Sequence, residues 1–256
     1  MENKKIVLLA GQGFSTHAVY HAINAAFPIA HVIIENPVDK KTFLKKRIKK
    51  LGFITVAGQV LFQAAIVPLL ERAARKRKQQ IMTDTGLNGS DIPAQLVTAV
   101  PSVNDPQTIA LLQQWQPDLI IVNGTRIIAK NVLNSVPCRF INTHAGITPQ
   151  YRGVHGTYWA LVSNDMANSG VTVHLVDAGI DTGGVLYQAQ VIPTPQDSFV
   201  TYPLLQLAAG MPLLKQAVAA ALNNTISTIS VCSQSKLWHH PTAWQYLYNC
   251  IFKKIK

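Results

Sequence analysis

Four polar side chains in the second half of the chain have types and spacing suited to moving an acyl group. Asn142 and His144 are two positions apart on a segment that reads as a strand end, so both side chains point to one face. Asp177 and Asp181 flank a glycine-rich turn, in which the backbone can come close to a ligand. An imidazole beside a carboxylate suits general acid–base work, and an amide N–H can donate to a developing oxyanion. These residues therefore predict acyl transfer.

The sequence offers no covalent nucleophile for that chemistry. It has no G-x-S-x-G elbow, and no activating partner is evident beside Cys138. A covalent acyl-enzyme is therefore not expected. The three cysteines, at positions 138, 232 and 250, lie far apart and give neither a disulfide framework nor zinc-ligand spacing. No metal site is expected, and the cytoplasm is the expected compartment.

The start of the chain predicts a parallel α/β sheet that would position these residues. The apolar run 4–10 reads as a buried strand, and the turn Gly11-Gln12-Gly13 leads into a helix at 16–27 and a second strand at His31–Glu35. Two interpretations of the turn stay open. Gly11 and Gly13 could cradle a phosphate of a substrate at the helix N-terminus, or they could form a plain tight turn.

Later segments continue the alternation of predicted strands and helices, through the residues suited to acyl transfer and beyond them. The carboxyl ends of parallel strands are where such sheets build their sites. From about residue 196 the pattern becomes mainly helical. The predicted strands are 97–100, 119–124, 140–142, 171–176 and 185–191, and the predicted helices include 106–115 and 156–163.

The net charge of +11 is concentrated in three short segments. Residues 40–50 carry seven Lys and Arg, 72–78 carry five and 253–256 carry three, which leaves 8 of the 23 basic residues against 12 acidic ones elsewhere. Residues 36–80 are expected to form a helical basic excursion from the sheet. Its charge could attract a polyanion, whether nucleic acid, a phosphorylated substrate or an anionic membrane surface, or it could be a solvated helix face.

The longest apolar stretch after the first strand, Val56–Leu70, lies inside this excursion. Polar residues and Pro68, expected as a kink or break, interrupt it, and a membrane-spanning helix needs about 20 residues. No transmembrane segment is therefore expected. Peripheral contact with a membrane remains compatible with the sequence.

Four short motifs follow one another in a fixed order in the second half of the chain. They are Asn142-Thr143-His144, Pro149-Gln150-Tyr151-Arg152-Gly153, Gly170-Val171-Thr172-Val173-His174 and Asp181-Thr182-Gly183. In order and separation they resemble the formyltransferases that use 10-formyltetrahydrofolate, which act on glycinamide ribonucleotide, methionyl-tRNA or sugar nucleotides. The resemblance implies an α/β, Rossmann-like formyltransferase domain over residues 1–195 and a mainly helical C-terminal extension over 196–256.

The resemblance also implies roles for individual residues. Asn142 would hold the formyl oxygen as it becomes an oxyanion. His144 would accept or relay the amine proton, or would stabilise the same oxyanion when charged. Asp181 would orient His144 and assist proton transfer through a water. The substrate amine would lie near Tyr151, Arg152 and Gly153, with the first two expected as exposed contacts or as anchors of their loop. The 10-formyltetrahydrofolate cosubstrate would be held by Val122, Gly124, Arg126, Ile127, Ile128 and Asp177.

Departures from the family pattern narrow the expected acceptor. The tail shows no barrel of the tRNA-acting members, and the first glycine turn does not match the phosphate turn of the ribonucleotide enzymes. A third departure, Gly146-Ile147-Thr148-Pro149 in place of the usual Ser-Leu-Leu-Pro, concerns the folate-side loop and leaves Asn142, His144 and Asp181 intact. The chain is also small. The expected acceptor is therefore a small molecule, a nucleotide-linked amino sugar for a surface polysaccharide such as a lipopolysaccharide O-antigen.

Other functions stay open at this point. They are a methionyl-tRNA or ribonucleotide formyltransferase, a formyltetrahydrofolate hydrolase, and a non-catalytic folate- or nucleotide-binding module. The last is disfavoured because a binding module does not need Asn142, His144 and Asp181 together. Nucleic acid is not an expected partner, and a homo-oligomer is compatible with the sequence.

Overall fold

A central seven-stranded sheet organises the molecule. The computed structural model of the chain describes residues 4–231 and 233–256. Within them the sheet order is β3-β2-β1-β4-β5-β7-β8, and β6 pairs with β9 in a separate ribbon. The strands are β1 (Ile6–Ala10), β2 (Ile29–Glu35), β3 (Val97–Val100), β4 (Leu119–Asn123), β5 (Arg139–His144), β6 (Arg152–Gly153), β7 (Gly170–Leu175), β8 (Val185–Gln190) and β9 (Leu237–Trp238).

The first five strands of this order are parallel; β7 is antiparallel to β5, and β8 is antiparallel to β7. β1 is buried along its whole length, as its unbroken apolar run predicts. The predicted strand at 140–142 is longer than expected and includes His144, so the first catalytic motif lies on a strand and not in the loop after it.

Helices cover both faces of the sheet and form the segment between β2 and β3. Asp105 caps α6 and Pro106 follows it, which explains why this helix begins where the sequence predicts. The helices are α1 (Phe14–Asn24), α2 (Lys40–Leu51), α3 (Phe53–Leu61), a π-helical turn (Phe62–Ile66), α4 (Val67–Ala73), α5 (Arg75–Thr85), α6 (Pro106–Trp115), α7 (Lys130–Leu133), α8 (Gly156–Val162), α9 (Tyr202–Leu222) and α10 (Ala243–Phe252).

Helix α9 packs on β5, β7 and β8 and against α1. At Gly210 it comes so close to the sheet that a Cβ atom would lie 2.8 Å from Cγ2 of Thr143. The α/β, Rossmann-like class with a helical C-terminal part is confirmed. The domain boundary between residues 195 and 196 stays a prediction.

A separate apolar cluster joins the helical excursion to the C-terminal tail. Phe62 of the π-helical turn is fully buried there, and its ring contacts Phe199 and Tyr246 at centroid distances of 4.9 and 5.0 Å. Tyr158 of α8 belongs to the same cluster. The excursion is therefore part of the folded body, held by aromatic contacts from segments far apart in sequence.

The apolar stretch of the excursion is continuous, contrary to the sequence-based expectation. Phe53–Ala73 forms 21 residues of unbroken helix, long and apolar enough to cross a membrane by length and composition alone, as does Tyr202–Leu222. Pro68 is the second residue after the π-helical turn, where the widened backbone accommodates its ring, so it does not break the helix. The argument from length against a membrane-crossing helix was therefore wrong, although Val56 and Phe62 anchor one side of it in the fold.

The aromatic cluster predicts that two neighbouring substitutions will differ widely in how far they lower the free energy of unfolding. Phe62→Ala should lower the free energy of unfolding by about 3–5 kcal/mol, because it empties a fully buried ring site. Leu61→Ala is the matched control, since Leu61 is 53% exposed and should cost less than about 1 kcal/mol. Urea unfolding of both variants measures this. Equal losses would contradict the assignment of Phe62 to the core.

Candidate active site

The last residues of β5 carry the site. Asn142 and His144 alternate onto one face of the sheet, and β7 runs antiparallel beside them so that His174 lies directly opposite Asn142. Three polar side chains are thereby fixed by strand register alone. The sequence motif N-x-H gives the first two, and the pairing of β5 with β7 adds the third.

His174 fixes the orientation of the Asn142 amide. Its Nδ1 lies 2.7 Å from the carbonyl oxygen of Leu175, so Nδ1 carries a proton and donates it. Burial lowers the pKa of His174, which keeps the ring neutral and leaves Nε2 as an acceptor. The amide nitrogen of Asn142 lies 3.2 Å from that Nε2 and donates to it. The second N–H of the amide is then left for a ligand.

His144 and Asp181 together provide a place for one proton. Nε2 of His144 donates to the carbonyl oxygen of Tyr151 over 2.7 Å. Its other nitrogen, Nδ1, faces Oδ2 of Asp181 at 3.4 Å. If Nδ1 carried only a lone pair, that lone pair would face the negative carboxylate and be repelled. A proton on Nδ1 would instead be attracted by the carboxylate. The pair is therefore arranged to accept a proton from a bound group.

Two loops hold Asp181 in this position. The N–H of Gly153, in β6, donates to its Oδ2 over 2.9 Å. The backbone of Asp181 is left-handed, with φ of 50°, a conformation that Asp adopts more readily than most residues. Asp177 shapes the turn before it, because its carboxylate accepts from the N–H of Gly179 and the hydroxyl of Thr182 at 2.9 and 2.7 Å.

A first cavity of about 400 Å³ lies against this face of the site. The catalytic candidates Asn142, His144 and Asp181 all line it. All the residues predicted to hold the cosubstrate line it as well: Val122, Gly124, Arg126, Ile127, Ile128 and Asp177. The structure thus brings the two predicted sets together around one cavity.

Sequence reasoning missed the residue that holds one wall of this cavity. Glu35, at the end of β2, is buried and accepts the backbone N–H of Arg126 over 2.7 Å. It also accepts the N–H of Val103 and pairs with Nε of Arg126 at 2.7 Å. A carboxylate that ends a buried apolar strand is the signal that could have found it, because such a group must be paired.

A second cavity of about 500 Å³ lies beside the first and shares Gly124, Thr143 and Ala145 with it. The end of β5 therefore separates two cavities. The second has mainly apolar walls, and none of the predicted substrate residues lines it. Its other walls come from the N-terminus of α1, the excursion, α9 and the tail: Phe14, Ser15, Gln63, Val67, Glu71, Lys78, Leu204, Leu207 and His240 are among them.

Two neutral histidines belong to this second cavity. Nε2 of His155 lies 2.9 Å from Nδ1 of His240. Burial, reinforced by the neighbouring imidazole, lowers the pKa of His155 to about 3, and burial with the nearby Arg47 lowers that of His240 to about 4. Both rings are therefore uncharged at neutral pH.

Two of the predicted substrate contacts are corrected by the structure. Gly11 is buried; its N–H donates to the carbonyl of Asn123 and its carbonyl accepts from Thr16, so neither group is left for a ligand. A Cβ atom there would lie 2.4 Å from the oxygen of Gly124, which explains the glycine as a close packing point. Tyr151 was expected to be exposed, but it is only 4% exposed because its ring stacks on Trp238.

The remaining predicted substrate contacts lie near the site or at its edge. Gly13 is exposed before α1 with φ of 139°, and lines neither cavity. Arg152 is half-buried and donates to the carbonyl of Ile180 over 3.2 Å. Gly153 lines the first cavity, where it holds Asp181. The acceptor roles predicted for these three residues stay predictions.

Cys138, the cysteine nearest the site in sequence, does not provide a reactive thiol. Burial raises the pKa of the Cys138 thiol to about 12, so it is not a nucleophile at neutral pH. Cys138 and Cys250 are unbridged, and Cys232 lies outside the described residues. Among residues 4–231 and 233–256, no three His, Cys, Asp or Glu side chains converge as ligands of a metal ion.

The buried histidine pair predicts a loss of stability in mild acid. The unfolded chain protonates these imidazoles near pH 6.5, and the folded chain does so only near pH 3–4. The unfolded state therefore holds more protons in that window, and stability should fall as the pH drops, by up to about 1.4 kcal/mol per pH unit for each imidazole. Thermal unfolding between pH 7.5 and 5 measures this loss.

The double variant His155→Gln/His240→Asn tests the assignment, because each amide keeps the hydrogen-bonding atom that its imidazole uses in the pair. We expect a shallower fall of the melting temperature with acid. The half-exposed His17, changed to Gln, is the control and should leave the slope as in the original chain. An unchanged slope in the double variant would contradict the prediction.

Comparison with known proteins places this geometry in a family. The family model described as Formyl transferase matches residues 4–203 of the 256. A methionyl-tRNA formyltransferase of Syntrophus aciditrophicus is 30% identical over 137 residues, which are 53% of this chain and 43% of that protein. The chain thus spans less than half the length of the curated relatives it first matches.

Solved structures share the fold at lower identity. A sugar N-formyltransferase of a Shewanella species superposes with a TM-score of 0.58 at 15% identity, over 91% of this chain and 76% of that one. The formyltransferase PseJ of Anoxybacillus kamchatkensis, solved with UDP-4,6-dideoxy-4-formamido-L-AltNAc and tetrahydrofolate, gives 0.50 at 24% identity over 61% and 80%. These identities support the fold alone. Since the family model covers more than three quarters of its length, the chain belongs to the formyl transferase family.

Proposed function

We propose that this protein transfers the formyl group of 10-formyltetrahydrofolate to the amine of a nucleotide-linked amino sugar. One observation carries the proposal: the end of β5 stands between two cavities that share Gly124, Thr143 and Ala145, and its Asn142 and His144 line the first of them. A reaction between two bound substrates needs this arrangement, with one substrate on each side of the reacting groups. The cytoplasm is the compartment we propose for it.

The first cavity suits the formyl donor. Val122, Ile128 and Val176 give it apolar walls that fit a flat ring system, and the loops around Arg126 and Asp177 give it polar edges. Family membership supports 10-formyltetrahydrofolate as the donor, and the PseJ structure with tetrahydrofolate is in line with it.

The side chains of Asn142, His144 and Asp181 suit direct transfer of the formyl group, with no covalent enzyme intermediate. The amine nitrogen forms a bond to the formyl carbon as the bond from that carbon to N10 of the folate breaks. The free N–H of Asn142 donates to the formyl oxygen while it gains negative charge. His144, facing Asp181, takes the proton that the amine loses, and the departing N10 gains one in exchange.

The second cavity suits an acceptor that carries phosphate. It shares Glu71 and Lys78 with an adjoining cavity that is also lined by Arg72 and Arg75. Lys78 is paired with Glu71, but the guanidinium groups of Arg72 and Arg75 favour a diphosphate, and the apolar walls towards β5 favour a deoxygenated sugar. The amine of such a substrate would then reach the end of β5.

Methionyl-tRNA is the second candidate acceptor. The curated relatives support it, because the first of them are methionyl-tRNA formyltransferases. The basic helices α2 and α5 would also suit a nucleic acid backbone. The aligned part of those relatives is less than half of each protein, so the likeness leaves their acceptor open for this chain.

Tetrahydrofolate release from 10-formyltetrahydrofolate tests the reaction. We expect release only when an amine acceptor is present, and fastest with a nucleotide-linked amino sugar from a panel that also holds glycinamide ribonucleotide and methionyl-tRNA. Arg72→Ala/Arg75→Ala should raise the KM for the acceptor about tenfold or more and leave that for the folate unchanged. The exposed Arg139, changed to Ala, is the control. Equal release without acceptor would identify a hydrolase.

Asp181 and Asp177 provide a matched pair of carboxylates for the mechanism. Asp181→Asn should lower turnover by about 10²–10⁴-fold and change the acidic limb of the pH–rate profile, because the proton on His144 loses its partner. Asp177→Asn should be milder, since Asp177 only bonds its own turn. Steady-state kinetics over pH measure both. A dispensable Asp181 beside an indispensable Asp177 would refute the assignment of roles.

A further inference from the structure

The outward side of the helix Phe53–Ala73 is apolar along its whole length. Phe53 and Ile54 are 70% and 75% exposed at its start, and Leu69 is 68% exposed near its end. The exposed positions recur at helical spacing, and none before Arg72 on this side is charged: Phe53, Ile54, Ala57, Val60, Leu61, Ala64, Ala65, Pro68 and Leu69 form this apolar stripe. A surface helix normally turns its apolar side inward, so the stripe indicates a partner outside the fold.

Helix α10 widens the apolar stripe. It packs against α3 and the π-helical turn, and Trp244 lies on Gly58, where a Cβ atom would collide with the indole ring. Gly58 is one turn from Ile54 and from Leu61, so the two helices expose neighbouring apolar surfaces. The exposed large apolar residues of α10 also follow helical spacing: Trp244, Leu247, Tyr248, Ile251 and Phe252.

Basic side chains flank this surface on the neighbouring helices. α2, which packs against α3, has no buried residue and carries seven Lys and Arg. Over residues 40–78 the chain has 12 basic residues and a single acidic one, Glu71, which is paired with Lys78. The C-terminus after α10 adds Lys253, Lys254 and Lys256.

We propose that the apolar stripe and its basic flanks dock the protein on an anionic lipid bilayer. An apolar helix about 30 Å long beside dense positive charge matches the chemistry of a membrane surface: side chains enter the acyl boundary while lysines meet the headgroups. The helix lies in the plane of the interface and does not cross it, because its inner side holds Phe62 in the core and Gln59 in bonds to Arg47 and His240.

Vesicle sedimentation tests this docking without any need for turnover. Vesicles of phosphatidylcholine with about one-third phosphatidylglycerol should bind the full chain at low salt, and pure phosphatidylcholine should bind it at least tenfold more weakly. Ile54→Glu/Leu61→Glu/Leu69→Glu should weaken binding by more than a hundredfold. The exposed Ile192, changed to Glu, lies outside the stripe and should bind as the original chain does.

A second pair of variants separates local charge from net charge. Lys45→Glu/Lys46→Glu/Lys49→Glu should weaken binding by at least a hundredfold, since each basic residue near the surface contributes about fivefold. Lys130→Glu/Arg139→Glu/Lys215→Glu changes the net charge equally at sites away from the stripe and should cost far less. Equal loss in both triple variants would overturn the proposal.

A third measurement detects insertion directly and replaces no apolar side chain by a charged one. Brominated lipids should quench Trp244 fluorescence in the bound protein, and Trp244→Phe should remove that quenching. Absence of binding to anionic vesicles would overturn the proposal. So would a dimer in gel filtration that the stripe variants dissociate, because a second copy of the chain would then be the occupant.

Discussion

The hydrogen bond from Gly153 to the carboxylate of Asp181 is the contact on which the rest of the site depends. It joins β6 to the turn that follows β7, and so sets Asp181 opposite His144 on β5. β6 is itself held by β9 near the C-terminus, where Leu237 pairs with Arg152. The tail therefore reaches the proton-accepting pair through a backbone pairing of β9 with β6 and a bond from a backbone N–H to the Asp181 carboxylate. Its contribution to the site is positional, although it lies far from the motif in sequence.

Much of the fold and of the first cavity could be predicted because the signals are local. The strand pattern predicted β3 with its observed ends. The helix predicted at 106–115 is α6, which begins after the capping residue Asp105 with Pro106. The N-x-H motif and the aspartate turn gave the side chains that converge on the first cavity. Burial of Tyr151 could not be read in this way, because it depends on stacking with Trp238, which is 87 residues later in the chain. The role of Glu35 and the second cavity could not be predicted either. The residues that contact Glu35, and those that line the cavity, come together only in the tertiary structure.

The two cavities differ in where their walls come from. The first is built by residues 122–181, all inside the stretch that matches the family model. The second takes walls from the excursion between β2 and β3 and from His240, which lies beyond that stretch. Changes in the excursion can therefore alter the second cavity while the groups around Asn142 and Asp181 keep their geometry. This separation explains why motifs identify the chemistry more readily than the acceptor.

The dense positive charge of α2 also bears on how the protein behaves in water. Two copies that approached through their apolar stripes would bring two sets of lysines together, and the repulsion between them opposes self-association. This barrier depends on ionic strength, because salt shortens the range of the repulsion to about 10 Å at 0.1 M and about 3 Å at 1 M. The hydrophobic attraction between stripes is not weakened by salt. Colloidal stability of the protein is therefore electrostatic in origin, and dilute buffer preserves it better than concentrated salt.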